Sequence, residues 1–145
     1  MKRSQVEGAA IHEYQIKILE QHLDAYGHVN HVAYISFFEQ ARWELISRAG
    51  CGLDFVKRTG VGPVVLELQT KFRKELKLRQ SITIKSQMVY WRSKIGTLRQ
   101  WVVDDQGAEC CEAFVTLGMF DLNARRLVLA DALWKNALGI QAEDS

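Results

Sequence analysis

"HLDAYGHVNHVAYISFFEQARWEL", from His22 to Leu45, sets an aspartate, three histidines and an asparagine just ahead of a densely apolar run. Asn30 is a favourable N-cap residue, and neither proline nor glycine occurs from His31 to Ala49. The spacing therefore predicts a helix over 31–49, with Ile35, Phe38, Ala41 or Arg42, Leu45 and Ala49 recurring at helical intervals and Gly50 and Gly52 ending it. Its first half, "HVAYISFF", is apolar on nearly every side, which marks a helix enclosed by other structure.

The flanking sequence supplies the enclosure. Upstream, "EYQIKILE" (Glu13 to Glu20) alternates polar and apolar side chains as a half-buried strand does, with Tyr14, Ile16 and Ile18 on one face and His22 near the strand end. Downstream, Val64 to Arg73 alternates in the same way, and "SITIKSQMVYW", "IGTLRQWVV" and "AECCEAFVTLGMFDL" each read as strands. "DDQG" joins the last two as a tight hairpin turn. The lone Pro63 suits a strand edge, and "ADALWKNALG" reads as a short closing helix. The expected fold is α+β, a single domain over 1–145 in which a curved antiparallel sheet wraps one long central helix. One helix covers one face of such a sheet and leaves an edge strand open, so the chain is expected to dimerise and extend the sheet across subunits, where a shared active site becomes possible.

Composition narrows the functions. Apolar residues make up 48% of the 145-residue chain, enough for a core without staples. A net charge of +2 gives no wholesale attraction to nucleic acid or membrane, so neither is an expected partner. Cys51, Cys110 and Cys111 have no metal-ligand spacing, and adjacent strand residues point to opposite faces, which suits a reducing cytoplasm. The N-terminal "MKRSQVEGAAIHEYQIKILEQ" has no apolar segment behind its basic residues, and no apolar run is long enough to span a bilayer.

Three readings compete for the opening stretch. His22, Asp24, His28 and His31 are residue types that zinc accepts, but their spacing does not put a pair on one helical face, so no metal is expected. Asp24 and Asn30 can simply satisfy the helix end and brace the loop. Alternatively, Asp24 is a catalytic carboxylate held near the positive end of the helix dipole, with Gly27 allowing close ligand approach and the free N–H groups around Asn30 and His31 receiving a developing oxyanion.

"DAYGHVNHVAYISFFEQAR" resembles the signature D-x-x-G-x-V-x-x-x-x-Y-x-x-x-x-E-x-A-R of hotdog-fold acyl-CoA thioesterases, in the branch that includes 4-hydroxybenzoyl-CoA thioesterase. The order of elements agrees over about Ile11 to Gly139. The resemblance implies that Asp24 is the catalytic aspartate and that the His31 backbone N–H polarises the thioester carbonyl. Tyr34, Glu39 and Arg42 fall on the signature's helix positions. "WRSKIG" resembles the basic segment that holds CoA phosphates, with Arg92 and Lys94 keeping the charge and Ser93 standing where the related enzyme has arginine. The implied substrate is an acyl- or aryl-CoA, with carrier-protein thioesters as a further possibility, no cofactor, and a homodimer or homotetramer as the assembly.

Other groups have two readings each. Glu39 is either a second catalytic carboxylate or a buried partner for Arg42 or a neighbouring subunit, and His28 either orients Asp24 or its water or bonds the loop backbone. Tyr14, Tyr34, Phe37, Phe38 and Trp43, like Phe72, Tyr90 and Trp91, serve packing or an acyl pocket. "KFRKELKLR" is a solvated strand end whose Lys74 or Lys77 can add to phosphate binding. The competing functions are a non-catalytic acyl-CoA binding module, which intact Asp24 and Gly27 argue against, and a hotdog hydratase or dehydratase, whose different aspartate and histidine spacing is not found.

Overall fold

In a computed structural model that describes residues 9–140, the chain runs β1 (His12–Lys17), α1 (His31–Arg48), α2 (Leu53–Thr59), β2 (Val61–Phe72), β3 (Ser81–Arg92), β4 (Ile95–Val103), β5 (Glu109–Asp121), β6 (Arg126–Leu127) and α3 (Ala132–Ala137). Lys2 and Arg3, and both ends of the expected 1–145 domain, lie outside the described residues. Every strand pairing is antiparallel, in the order β1-β3-β4-β5-β2, with β6 against the end of β5. Register shifts in β2 between Val65 and Glu67, and in β3 between Met88 and Tyr90, help bend the sheet around α1.

The inward residues of the sheet meet one face of α1. Ile84, Met88, Leu98, Val115 and Met119 pack in one core with Tyr34, Phe37, Phe38, Ala41 and Leu45, and full burial of such side chains contributes about 1.5–3 kcal/mol each. Gln100 pins the helix in place. Its buried Nε2 donates to Phe38 O at 3.0 Å and Ser86 Oγ at 2.9 Å, while its Oε1 accepts from Arg42 Nη1 at 2.9 Å. Both polar atoms of the amide are engaged, so a buried glutamine becomes a tie between α1, β3 and β4.

Several elements differ from the sequence expectation. The first strand stops at Lys17, because Ile18 is fully buried and bonded through its N–H to Gln80 O at 2.9 Å and through its carbonyl to Arg79 N at 2.8 Å. A 3₁₀ turn over Glu20–His22 follows, so His22 belongs to a turn and not to a strand end. Helix α1 is enclosed on one side only: Val32, Ile35 and Trp43 form an exposed apolar stripe. Cys110 and Cys111 are both buried, because the register shift between Val102 and Val103 leaves Cys110 without a partner in the β4 ladder. Helix α2 was not expected at all. Among the described residues no helix is long and apolar enough to cross a membrane.

Asp104 closes the β4–β5 hairpin. Its Oδ1 accepts from Gln106 N and Ala108 N, both at 2.9 Å, and its Oδ2 accepts from Lys74 Nζ at 2.8 Å. The hydrogen bond from Lys74, then that from Ala108, holds the carboxyl down to about 2. The folded value lies below that of the unfolded chain, so the carboxylate stabilises the fold above about pH 4, and this contribution drains as pH falls toward about 2. Asp104→Asn is therefore expected to melt a few degrees below the parent at pH 7, with the gap narrowing as acid is added. A gap that stays constant in melting curves across that range would show that charge is not what Asp104 contributes.

Candidate active site

The loop between the 3₁₀ turn and α1 is a small closed hairpin. Leu23 and Val29 form a bridge, Asp24 N donates to His28 O at 2.8 Å, and Gly27 N donates to Asp24 O at 3.1 Å. Gly27 sits at φ 80°, a left-handed conformation that glycine adopts without penalty. Asp24 Oδ1 accepts from Tyr26 N at 2.9 Å and His28 N at 3.2 Å. The loop is thus fastened around one oxygen of the carboxylate, and those contacts leave the other oxygen out of the brace.

Capping of α1 falls to Asn30 alone. Its side chain accepts from Val32 N at 2.9 Å, whereas the His31 N–H finds no acceptor among the described residues. Asp24, His31 and Tyr34 line one open cleft of about 510 Å³, together with Phe72, Lys74 and Glu75. A carboxylate and an unpartnered N–H at the positive end of a long helix therefore share one concave surface. The Tyr34 ring lies edge-on to Phe72 at 5.2 Å, and burial pushes its phenol up to about 12.

The histidines divide among separate tasks. His22 Nδ1 accepts from Leu19 N at 2.9 Å and its ring stands edge-on to Phe37 at 4.8 Å. Burial lowers its pKa, so the ring braces the loop in its neutral form. The His28 imidazole turns to Glu75, with Nε2 to Oε1 at 2.8 Å. His28 meets Asp24 through its backbone alone, its N–H reaching the carboxylate and its carbonyl accepting from Asp24 N, so the expectation that the imidazole orients that carboxylate is corrected. Among the described residues no group of three or more His, Cys, Asp or Glu is arranged to hold a metal ion.

Glu39, Arg92, Ser93 and Lys94, all expected site residues, lie away from this cleft. Glu39 is exposed at the midpoint of α1, and the partner of Arg42 is Gln100 rather than Glu39. Burial lowers the Arg42 pKa, with Glu39 opposing that from a distance. Both residues border a second cavity of about 260 Å³ beneath α1, otherwise lined by apolar side chains such as Leu98, Leu117 and Leu138. Arg92, Ser93 and Lys94 are exposed in the β3–β4 hairpin, braced by Trp91 Nε1 donating to Ser93 O at 3.1 Å and by Met119 N donating to Lys94 O at 2.9 Å. The ladder Ile95, Gly118, Val64 places that hairpin at the start of β2. Phe72 marks the Asp24 cleft at its far end, roughly 25 Å away at the rise of a strand.

Arg73 and Glu75 are the cleft residues that sequence reasoning missed, while Phe72, a packing or acyl-pocket candidate, is found beside Tyr34 at the cleft. Lys74, a candidate for phosphate binding, is paired with Asp104, and Arg73 is paired with Glu112 at 2.9 Å and Glu109 at 3.2 Å. The only local signal was a charged run at a strand end, which has many other meanings.

Comparison with known proteins gives a consistent picture. The family described as Thioesterase-like superfamily matches residues 19–138. The long-chain acyl-CoA thioesterase FadM of Escherichia coli (strain K12) is 29% identical over 113 residues, covering 77% of this chain and 85% of that protein. The structure of YbaW, a probable thioesterase from Escherichia coli, superposes with a TM-score of 0.77 at 26% identity, covering 89% of this chain and 98% of that one. A Staphylococcus aureus protein solved in complex with CoA superposes with a TM-score of 0.83 at 15% identity, covering 89% of this chain and 82% of that one, a likeness of fold.

Proposed function

The chain belongs to the Thioesterase-like superfamily and is a thioester hydrolase, and we propose that it cleaves an acyl-CoA to free acid and CoA with Asp24 and the His31 N–H as its working parts. The observation that carries this is the shared cleft: a carboxylate whose loop is braced through one oxygen, beside a helix N-terminus with an unpartnered donor. A thioester carbonyl oxygen set against the His31 N–H gains a donor and the favourable end of the α1 dipole as negative charge develops on it. CoA leaves readily as a thiolate, so the site needs no strong general acid.

Two routes use these groups. In one, Asp24 attacks the carbonyl carbon, the C–S bond breaks, and water opens the resulting mixed anhydride. In the other, Asp24 removes a proton from water as that water attacks. The signature over Asp24 to Arg42 supports the 4-hydroxybenzoyl-CoA thioesterase-like branch, and we read 1–145 as one cytoplasmic hotdog domain. Tyr34 lines the cleft, Gly27 turns the loop that carries Asp24, Asn30 caps α1, and His28 holds Glu75 at the rim. Acyl-CoA is favoured over a carrier-protein thioester because FadM, which bears that substrate in its name, is matched over 85% of its length, whereas the acyl-acyl carrier protein thioesterase ATL3 of Arabidopsis thaliana is matched over 40%. Release of free thiol from a panel of acyl-CoAs tests the reaction; a protein that binds acyl-CoA without releasing CoA would be a binding module instead.

The separation of the β3–β4 hairpin from Asp24 within one chain favours a second subunit. The outer edge of β2 has no strand partner among the described residues, and antiparallel pairing with the same strand of another copy would bring the start of one β2 beside the end of the other. The hairpin of one subunit then serves the cleft of its partner. Arg92→Glu or Lys94→Glu is expected to raise KM for acyl-CoA severalfold with a smaller change in kcat, and more so at low salt. An acyl-pantetheine, which lacks the nucleotide phosphates, should be insensitive. Equal losses on both substrates would mean that the hairpin is structural.

A further inference from the structure

The cavity beneath the second half of α1 takes no part in the chemistry at Asp24. Leu45, Leu98, Leu117 and Leu138, all buried, make its floor. Trp43 and Val65, 38% and 48% exposed, stand at its mouth beside Glu39. We infer that this cavity receives the distal end of an unbranched aliphatic acyl group and makes the protein selective for medium-chain acyl thioesters. The inference rests on the acyl-CoA reading above and adds the acyl class to it.

Size is the first argument. Protein interiors hold few voids larger than a water molecule, so a mostly apolar pocket of about 260 Å³, open at one side, is room suited to a ligand. An engineered cavity of about 150 Å³ accepts benzene, and in proportion this one takes roughly ten carbons. Polarity is the second. The charged groups on the lining are Glu39 and Arg42, and the Arg42 guanidinium is turned onto Gln100 at 2.9 Å. The leucine floor has no side-chain hydrogen-bonding group, so a hydroxyaryl substrate would bury its hydroxyl unpaired, whereas a methyl terminus leaves nothing unsatisfied.

Position is the third argument. Pro63 and Val65 line the cavity at the start of β2. Antiparallel β2 pairing sets that end beside the partner subunit's Asp24 cleft, so an acyl carbonyl held there points its chain toward this mouth. Each additional methylene that reaches the cavity multiplies kcat/KM by about fourfold, until the floor is met.

The test is the rate of CoA release across saturated acyl-CoAs from butyryl to palmitoyl, with 4-hydroxybenzoyl-CoA alongside. The expected profile climbs to a maximum at about ten carbons and falls by roughly tenfold or more at palmitoyl. Hydroxybenzoyl-CoA should lie well below the maximum. Leu117→Phe, which fills the floor, and Val65→Trp, which narrows the exposed mouth, should each lower the decanoyl-to-butyryl ratio of kcat/KM by about tenfold or more. A flat profile, a preference for palmitoyl or hydroxybenzoyl, or folded variants with the parent's ratio would overturn the inference while leaving the hydrolase reading intact. Failure to release CoA from any of these substrates would overturn both.

Discussion

Asp24→Asn is expected to lower kcat by roughly a hundredfold or more, with KM and melting temperature close to the parent's. The geometry makes this substitution unusually clean. The side-chain oxygen that accepts from Tyr26 N and His28 N is retained in an asparagine, so the loop keeps its brace and only the charge is lost. Asp24→Ala removes those two bonds as well and should melt lower, which separates the structural share of this residue from the chemical one. If the Asp24→Asn protein hydrolyses acyl-CoA at near the parent's rate, the carboxylate is a loop brace and the proposed chemistry is wrong. Treatment with a chelator should leave the parent active; loss of activity that zinc restores would return the histidines to consideration as ligands. Turnover in ¹⁸O-water then identifies the anhydride route if label enters Asp24, since that transfer arises only when water opens an anhydride at the aspartyl carbonyl.

The parts of this site that sequence reasoning reached are those that lie close together along the chain. Asp24, Gly27, Asn30 and His31 belong to one short loop, and an N-cap asparagine ahead of an apolar run specifies a helix start on local chemistry alone. "DDQG" was legible for the same reason, since Asp104 and Gly107 carry the turn in their own side-chain bonds and φ. Phe72 to Glu75 reach the cleft only because β2 crosses the whole sheet, and nothing local to "KFRKELKLR" records that. Helix α2 was hidden by its brevity. Its seven residues are too few to show a periodicity, and it is held by Gly60 at φ 75° and by Phe55 against Trp134 at 5.9 Å. The helical pattern of α1 was read as full enclosure, yet hydrophobicity reports that a face is to be covered and not by which chain.

That uncovered face leads to the second large effect. Val32, Ile35 and Trp43 run along α1 on the side away from the core, and Val65, Leu66 and Phe72 are exposed on β2. A second copy laid against them would extend the sheet and cover the stripe at once, and a tetramer would follow from pairing two such dimers. Ile35→Glu puts a charge on this stripe. Ile35 is 37% exposed in the single chain, so the monomer should fold with it, whereas the assembled protein would have to bury two carboxylates without partners. A cost on the order of 4 kcal/mol for the pair weakens dimerisation by about a thousandfold. Sedimentation should then show monomer at micromolar concentration, with acyl-CoA hydrolysis reduced by roughly a hundredfold or more because neither the β3–β4 hairpin nor the cavity mouth meets an Asp24 cleft. Circular dichroism should stay close to the parent's. A parent protein that sediments as an active monomer would remove the assembly from the mechanism, and with it the reason why Arg92 and Lys94 stand so far from the carboxylate they are proposed to serve.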